Sequence, residues 1–311
     1  MKAVLPALAR PLVEPHLPAA ITPVWYATRD QAAAEIVDAD IAWVDMQGAD
    51  DSAVLAAQGE RLRWLFTLRA GADAYDLALM KARGTIFTNG SGINAIAVAE
   101  YAVMGVLVAA KRYDEVVRTA DRAEWTVVAP GQVELMDSAA LIIGYGTIGR
   151  LIGDRLAAFG VAVTGVTRSG REGTLTPDAW RDRLGNFDWI ILAAPSTGET
   201  QAMIGAAELA AMKTTAWLIN MARGEMVDQD GLIAALEART IAGAFLDTVT
   251  PEPLPADHPL WSARNVLHSM HLSGRSQTTM FRRAAALFVE NAQAFVEGRP
   301  MANVVDLDAG Y

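Results

Sequence analysis

Four polar side chains follow predicted strands in the second half of the chain: Arg223, Asp247, Glu252 and His271. A guanidinium can hold a carboxylate and polarise a carbonyl oxygen. An imidazole can donate a proton to that oxygen, and a neighbouring carboxylate can orient the imidazole and favour its protonated form. Because the carboxyl ends of parallel strands meet at one sheet edge, these residues could together bind and reduce a 2-oxo acid.

Each of these residues has a predicted task. Arg223 binds and polarises the substrate, His271 is the general acid/base, and Glu252 orients His271. Asp247 is predicted to anchor the nicotinamide end of a cofactor rather than to perform chemistry. Taken singly, each also has a structural interpretation as an exposed or ion-paired loop residue. His268 competes for the acid/base role, but it is predicted to lie within its strand rather than beyond it.

A glycine-rich turn lies between a predicted strand and a predicted helix, and it runs Gly144, Tyr145, Gly146, Thr147, Ile148 and Gly149. In a dinucleotide-binding unit the first glycine allows a tight turn, and the second lets the backbone approach a pyrophosphate. The third glycine lets the helix pack closely on the strand, with the pyrophosphate at the helix N-terminus. This strand–turn–helix context predicts a cofactor site at residues 144, 146, 147, 148 and 149.

The end of the second strand of this unit carries no acidic residue. It reads Thr167, Arg168 and Ser169, and Arg171 follows. An uncharged threonine does not repel a 2′-phosphate, while the two arginines can pair with it and the serine can donate to it. The pattern therefore predicts that NADP(H) is preferred, with NAD(H) possible. The alternative is that the arginines only decorate an exposed loop.

Two series of alternating strands and helices organise the chain. The predicted strands of the first series are Val24–Tyr26, Ile41–Val44, Trp64–Thr67 and Thr85–Thr88. Its predicted helices are Gln31–Asp38, Ser52–Gln58 and Ala74–Lys81, and the long helix Ala95–Arg112 follows. The N-terminus is read as a proline-broken segment without a signal sequence. Alternation of this kind predicts a parallel sheet with crossover helices.

The second series is longer. Its predicted strands are Ala139–Ile143, Val161–Val166, Trp189–Ala193, Ala216–Asn220, Ala242–Leu246 and Asn265–His268. Its predicted helices are Ile148–Phe159, Thr176–Leu184, Ala206–Met212 and Gln229–Ala238, and a last helix covers Thr278–Glu297. Six strands match a full dinucleotide-binding fold. We expect an α/β protein in which a Rossmann cofactor domain (96–274) is inserted in a flavodoxin-like substrate domain (1–95 and 275–311).

Composition limits the possible partners. With a net charge of −10 the chain lacks the basic surface that nucleic-acid binding needs. It has no cysteine, which excludes disulfides and thiolate chemistry, and its four histidines lack a metal-binding spacing. The apolar run Ala95–Ala110 is too short for a membrane span and contains Glu100. We expect a cytoplasmic protein without a metal, a membrane or a nucleic-acid partner.

These motifs together resemble the D-isomer-specific 2-hydroxyacid dehydrogenase family over nearly the whole chain. Besides the glycine turn, the matching segments are Gly71–Asp73, Gly92–Ala95, Val98–Glu100, Asn220–Gly224, Asp247, Pro251–Pro255 and His271 with Gly274. The resemblance implies that Arg223, Glu252 and His271 form the catalytic set. It also implies that backbone groups near Ala70 and Gly71 bind the substrate carboxylate, and that a homodimer forms with helix Ala95–Arg112 at its contact.

Several positions depart from the family pattern. Thr167 replaces the usual acidic residue, and Ser269-Met270 precede His271 where many members have Thr-Pro. Arg69, just before the Ala70-Gly71 turn, is a candidate for a second contact with the substrate anion, or a surface charge at a strand end.

Pro195, after the third strand, completes the predicted set of cofactor contacts.

The sequence thus predicts an NADPH-dependent reductase of a small 2-oxo acid, glyoxylate and hydroxypyruvate being typical family substrates. Formate dehydrogenases of the superfamily pair their histidine with glutamine, so Glu252 argues against that chemistry. A phosphite-oxidising relative would keep the same three residues and stays open as an alternative. A dinucleotide-sensing protein of the corepressor type is a second alternative, recognisable by ligand-linked dimerisation with negligible turnover.

Overall fold

The structure is a computed structural model that describes residues 1–46, 49–275 and 279–310. The chain divides into two compact units, one made of Met1–Asn94 with Ser276–Tyr311 and the other of Ala95–Arg275. The predicted domain boundaries lie within one residue of these limits. Each unit is built around its own parallel sheet, so the α/β class with two doubly wound sheets is confirmed.

The strands of the described residues fall into these two sheets. In chain order they are β1 Lys2–Pro6, β2 Thr22–Tyr26, β3 Ile41–Trp43, β4 Trp64–Phe66, β5 Ile86–Thr88, β6 Ala139–Ile143, β7 Ala162–Val166, β8 Trp189–Leu192, β9 Trp217–Asn220, β10 Gly243–Leu246 and β11 Val266–His268. The α-helices are α1 Arg10–Val13, α2 Arg29–Ile36, α3 Ala49–Ala57, α4 Leu77–Arg83, α5 Ala95–Lys111, α6 Tyr113–Asp121, α7 Thr147–Ala158, α8 Ala206–Ala211, α9 Gln229–Glu237 and α10 Met280–Glu297.

The first unit has the sheet order β2-β1-β3-β4-β5, which is the flavodoxin-like order. Its strands β3 and β4 are short apolar runs buried on both faces, as expected inside a parallel sheet. Helix α10 returns to this unit from the far end of the chain and packs Phe288 against Trp64, with ring centroids 4.8 Å apart. Thr278, where the last helix was predicted to begin, lies outside the described residues.

The second unit has the order β11-β10-β9-β8-β6-β7. The chain leaves β6 to form β7 on one side and then crosses to form β8 on the other side. The order in which strands are added to the sheet therefore reverses at β6. Ligands of open α/β sheets bind at such a reversal, beyond the carboxyl ends of the strands. Alternate residues of β6 face two separate apolar cores: Leu141 and Ile143 face one, Ala140 and Ile142 the other.

Helix α5 contributes its buried small and branched side chains to one of these cores. Among the residues that the model describes, no helix combines the length and the apolar character that a membrane crossing needs.

Three elements of the described residues were missed in the sequence: strand β1, the short helix α1 and helix α6. Strand β1 lies inside the first sheet, paired with β2 and β3, although the N-terminus was read as a proline-broken segment. Its proline, Pro6, is the last residue of the strand, where a lost N–H donor costs little. Helix α6 was not predicted, although Tyr113, Val116 and Val117 recur at helical spacing; none of its side chains is buried.

One predicted helix was wrong. Residues 176–184 do not form an α-helix. A short 3-10 helix, Arg181–Asn186, covers only the end of the predicted segment. Leu175 instead forms a bridge with Val166 at the edge of β7, and Trp180 is wholly buried in the core behind it. Tertiary anchoring of these two side chains outweighs the local helix signal of Thr176-Pro177.

Candidate active site

The glycine turn after β6 has the geometry of a phosphate-binding loop. Gly144 has φ +97°, and a Cβ there would collide with the backbone nitrogen of Ala194. A Cβ at Gly149 would collide with the carbonyl oxygen of Gly144, so this glycine allows close packing of helix on strand. At Gly146, by contrast, no atom lies within 4 Å of the added Cβ position. The turn is therefore tight at its first and third glycines and open at the second.

Helix α7 begins at this turn. Gly146 is its N-cap residue, and no side chain caps the helix. The first N–H groups of a helix have no partner within it and carry a partial positive charge, which favours an anion. Thr147 and Ile148 form the first turn beside the open Gly146 position. The residues present therefore fit the pyrophosphate of a nicotinamide dinucleotide.

The loop after β7 carries the predicted specificity residues. Thr167 Oγ1 lies 2.7 Å from Thr174 Oγ1, which fixes the start of the loop. Arg168, Ser169 and Arg171 are all exposed. Arg168 Nη2 lies 3.3 Å from Oε1 of Glu199, a residue that sequence reasoning did not single out. The guanidinium of Arg168, which was predicted to bind a 2′-phosphate, is therefore already paired with the carboxylate of Glu199.

His271 and Glu252 form a direct pair. His271 Nδ1 lies 2.7 Å from Glu252 Oε2, and Glu252 Oε1 accepts a hydrogen bond of 3.1 Å from the backbone N–H of Val249. Burial raises the pKa of Glu252, but the hydrogen bond and charge of His271, the Val249 N–H and the charge of Arg223 together lower it below its ordinary value. With Glu252 ionised on Nδ1, the imidazole has Nε2 as its second nitrogen for proton exchange.

Arg223 lies three residues after the end of β9, in extended backbone, and is half-buried. The side-chain amide of Asn220 donates to its carbonyl oxygen over 2.8 Å, and Arg223 Nη1 donates to the carbonyl oxygen of Ala222. A Cβ at Gly224 would collide with the backbone of Val249, so the loop after β9 and the loop that carries Glu252 touch at this glycine. The close approach explains how the charge of Arg223 reaches Glu252.

His268 is engaged elsewhere. It is the last residue of β11, its Nε2 lies 3.2 Å from the carbonyl oxygen of Leu260, and its ring packs on Trp261. Burial lowers the pKa of His268, with a smaller effect of His258 in the same direction, while the hydrogen bond to Leu260 raises it. The ring is a packed, largely neutral side chain, which leaves His271 as the better-placed acid.

Asp247 and Pro195 complete the predicted set at this sheet edge. Asp247 is only 2% exposed, and its two carboxylate oxygens accept hydrogen bonds from the hydroxyls of Ser269 and Ser273. Pro195 is exposed, and its carbonyl oxygen accepts a bond of 2.9 Å from Thr200 Oγ1. Sequence reasoning missed the two serine partners, although they flank His271 at equal spacing.

The first unit places Arg69, Ala70 and Gly71 after β4. The side-chain amide of Asn89 donates to the carbonyl oxygen of Ala70 over 2.8 Å. Arg69 Nη2 donates to the carbonyl oxygen of Met46 over 3.0 Å, and Arg69 Nε lies 3.9 Å from Asp45 Oδ1. The guanidinium is therefore held against a buried carboxylate of its own unit.

Comparisons with known proteins agree with this geometry. The family model of the D-isomer specific 2-hydroxyacid dehydrogenase, NAD binding domain, matches residues 103–273. A glyoxylate reductase of Aeropyrum pernix is 33% identical over 264 residues, which cover 81% of this chain and 78% of that protein.

Solved structures extend the similarity to the whole chain. A D-isomer specific 2-hydroxyacid dehydrogenase family protein from Aeromonas salmonicida superposes with a TM-score of 0.86 at 27% identity, covering 99% of both chains. An NADPH-dependent glyoxylate/hydroxypyruvate reductase from Sinorhizobium meliloti, solved with NADP and malonate, has a TM-score of 0.79 at 26% identity and covers 99% of this chain and 98% of its own. The chain therefore belongs to the D-isomer specific 2-hydroxyacid dehydrogenase family and is an NAD(P)-dependent oxidoreductase.

Proposed function

We propose that the protein reduces a small 2-oxo acid, glyoxylate or hydroxypyruvate, to the D-2-hydroxy acid with NADPH. The observation that carries the proposal is the 2.7 Å His271–Glu252 pair at the sheet edge that also holds Arg223 and the glycine turn. The substrate class is that of two similar proteins, the glyoxylate reductase of Aeropyrum pernix and the glyoxylate/hydroxypyruvate reductase of Sinorhizobium meliloti.

In this proposal Arg223 recognises the substrate. A guanidinium presents a planar fork of N–H donors, which matches a carboxylate and leaves further donors for the adjacent 2-oxo oxygen. Polarising that carbonyl makes its carbon a better acceptor of hydride. A lysine could supply the charge at this position but not the fork, so substitution by lysine should not restore activity.

His271 moves the proton. When bound, a nicotinamide dinucleotide supplies or accepts a hydride at the substrate carbon. His271 Nε2 donates a proton to the 2-oxo oxygen during reduction and takes it back from the hydroxyl during oxidation. Glu252 acts through His271 as a positioning residue: its carboxylate on Nδ1 fixes the orientation of the ring.

The proposed cofactor contacts are Gly144, Gly146, Thr147, Ile148, Gly149, Thr167, Arg168, Ser169, Arg171, Pro195 and Asp247. We propose that the two arginines make NADPH the preferred form, because guanidinium groups pair with a phosphate dianion. Glu199 shares Arg168, so it competes with a 2′-phosphate and limits the preference. The contact of Asp247 with the nicotinamide end is retained as part of the proposal, although its side chain is nearly buried.

We propose that backbone groups of Ala70 and Gly71, in the first unit, bind the substrate carboxylate, with Arg69 as a second contact to the substrate anion. The second unit is the proposed cofactor domain. Arg69 is expected to affect KM more than kcat, because its charge is already partly balanced by Asp45.

A homodimer is proposed from the apolar surface of the second unit. Met104 on α5 and Phe159 after α7 are 41% and 43% exposed and line one apolar groove. Trp125 and Val127, in the segment after α6, are 93% and 91% exposed. Exposed apolar side chains of this kind mark an interaction surface.

Sedimentation of the wild type and of Met104→Glu tests the proposed dimer. The charge introduced by the glutamate should dissociate the dimer into monomers. A cytoplasmic location completes the proposal.

The decisive experiment measures initial rates of NADPH and NADH oxidation with glyoxylate, hydroxypyruvate, pyruvate, phenylpyruvate and 2-oxoisocaproate. We expect rapid NADPH-dependent turnover with the two smallest polar substrates. Turnover that strongly favours NADH would keep the chemistry but remove the role given to Arg168 and Arg171. Absence of turnover with every pair would contradict the proposal and favour phosphite oxidation or dinucleotide sensing.

A further inference from the structure

Three buried polar side chains surround the backbone of His271. Asp247, directly after β10, is 2% exposed, and Ser269 and Ser273, which flank His271 by two residues on either side, are 8% and 3% exposed. Ser269 Oγ donates to Asp247 Oδ1 over 2.7 Å, and Ser273 Oγ donates to Asp247 Oδ2. The Ser273 N–H reaches Oδ1 at 3.3 Å. One carboxylate therefore binds the loop both before and after the histidine.

The backbone between the two serines is in an uncommon conformation. Met270 has φ +53° and His271 has φ +52°, both in the left-handed region that favours glycine. The His271 N–H donates over 2.6 Å to the carbonyl oxygen of Asp247. Non-glycine residues keep such a conformation only where the surrounding structure holds it, and here Asp247 accepts hydrogen bonds from Ser269, His271 and Ser273.

A proline could not replace Met270 in this loop, because its ring fixes φ near −65°. The rigidity of the loop must therefore come from hydrogen bonds. Hydroxyl-to-carboxylate bonds are among the stronger protein hydrogen bonds, and burial keeps water from competing for them. The contact of Glu252 with His271 is to the ring, through Nδ1. The side-chain angle and the backbone position of His271 are therefore set by two different carboxylates, those of Glu252 and Asp247.

We propose that Asp247, Ser269 and Ser273 form a positioning clamp that holds His271 in its left-handed conformation and so aims Nε2 at the substrate oxygen. The proposal rests on the proposed function, since it takes His271 as the proton donor. Loss of the clamp leaves cofactor binding intact but lowers the fraction of molecules in which the proton donor is in place. The effect falls on kcat rather than on affinity.

The test compares Ser269→Ala, Ser273→Ala and the double variant with a matched control, Ser138→Ala. Ser138 is also a buried serine, bonded to the Leu135 carbonyl oxygen and to Trp189 Nε1, but it precedes β6 at the opposite edge of the sheet. For each variant kcat, substrate KM, the NADPH dissociation constant and the melting temperature are measured. Ser269→Thr serves as the conservative variant because it keeps a hydroxyl.

We expect each single alanine variant to lower kcat severalfold and the double variant to lower it more than tenfold, with NADPH affinity within twofold of the wild type. Ser269→Thr should keep at least half of the wild-type kcat, and Ser138→Ala should lose melting temperature but not kcat. The single variants carry the test if the double variant does not fold.

Wild-type kcat in the single variants would overturn the clamp. An equal loss of kcat in Ser138→Ala would also overturn it, and so would a loss that appears only as weaker NADPH binding, which would assign Asp247 to the cofactor alone. His271→Asn distinguishes the two proposals. Full activity of that variant contradicts the proposed function itself, whereas an inactive His271→Asn beside active serine variants contradicts only the clamp.

Discussion

The two sheets of this protein end in edges of different chemistry, although both are parallel and doubly wound. After β3 and β4, the carboxylate of Asp45 accepts bonds from Trp43 Nε1, Thr67 Oγ1 and the Leu68 N–H, and its side chain is 8% exposed. After β10 and β11, the His271 and Glu252 side chains pair with each other while 47% and 36% exposed. The Asp45 carboxylate at the first edge is buried and holds the neighbouring loops, whereas the His271–Glu252 pair at the second edge is open to solvent.

This difference separates stability from chemistry. Burial raises the pKa of Asp45, against the opposing effects of its three donors and of Arg69, whereas the pKa of Glu252 is lowered. A buried acid with a full set of donors is a structural group, while a half-exposed pair of a carboxylate and an imidazole can meet a ligand. The comparison predicts that substitutions at the two edges fail in different ways.

The largest effect is expected for His271→Asn, which removes the proton donor. General acid catalysis contributes roughly 100- to 10,000-fold, so kcat/KM should fall by about that factor. The melting temperature should fall by no more than about 1–2 °C, because the pair of the His271 ring with Glu252 is partly exposed. The matched variant His268→Asn should keep activity within about threefold, since its ring is already bonded to Leu260. Equal losses in both variants would contradict the assignment.

The opposite pattern is expected for Asp45→Ala. Three buried donors lose their acceptor, which should lower the free energy of unfolding by about 2–3 kcal/mol. The value of kcat should change by less than about threefold, because no bond to the reacting atoms is lost. Urea unfolding and steady-state kinetics measure the two quantities. A large loss of kcat in a stable Asp45→Ala protein would erase the contrast between the edges.

A smaller effect is expected in the loop after β7. Removing the guanidinium in Arg168→Ala should raise the KM for NADPH by about tenfold and leave that for NADH nearly unchanged, since one charge-assisted pair is lost. Glu199→Gln should lower the KM for NADPH by about two- to threefold, because an exposed ion pair is weak. If Arg168→Ala raised both KM values equally, the arginine would have no role in cofactor choice.

The smallest effect concerns the pH dependence of stability. The pKa of Glu252 is lower in the folded protein than its ordinary value of 4.5, so the ionised carboxylate stabilises the fold above that pH. The contribution disappears as pH falls through the lowered value. Because the pair is partly exposed, Glu252→Gln should lower the melting temperature by only about 1–2 °C at pH 6, and by less near pH 4. A difference that grows toward acid pH would have the wrong sign for a lowered pKa.

Local patterns in the sequence were sufficient for much of this architecture. The glycine turn, the apolar strand runs and the residues that follow them are local, and ten of the strands were placed to within about two residues. Strand β1 was missed because five residues ending in proline give little periodicity. Helix α6 was missed because nothing in it is buried.

The non-local contacts could not be read in the same way. Glu199 meets Arg168 across 31 residues, and Ser269 and Ser273 meet Asp247 across 22 and 26 residues. Such pairs depend on which strands are neighbours and on how their loops turn, and residue spacing determines neither. The two serines that flank His271 are visible in the sequence. Their proposed role becomes apparent only from their hydrogen bonds to the buried carboxylate of Asp247.

The central claim is a hydride transfer from NADPH to a 2-oxo carbon, and isotope transfer tests it most directly. The protein is incubated with NADPH deuterated at the transferring position and hydroxypyruvate, and the product is analysed by NMR and by its chirality. The account predicts D-glycerate with one deuterium at C2 for each NADPH consumed, and no such product with His271→Asn. Glycerate without deuterium, L-glycerate, or deuterated product at the wild-type rate from His271→Asn would contradict it.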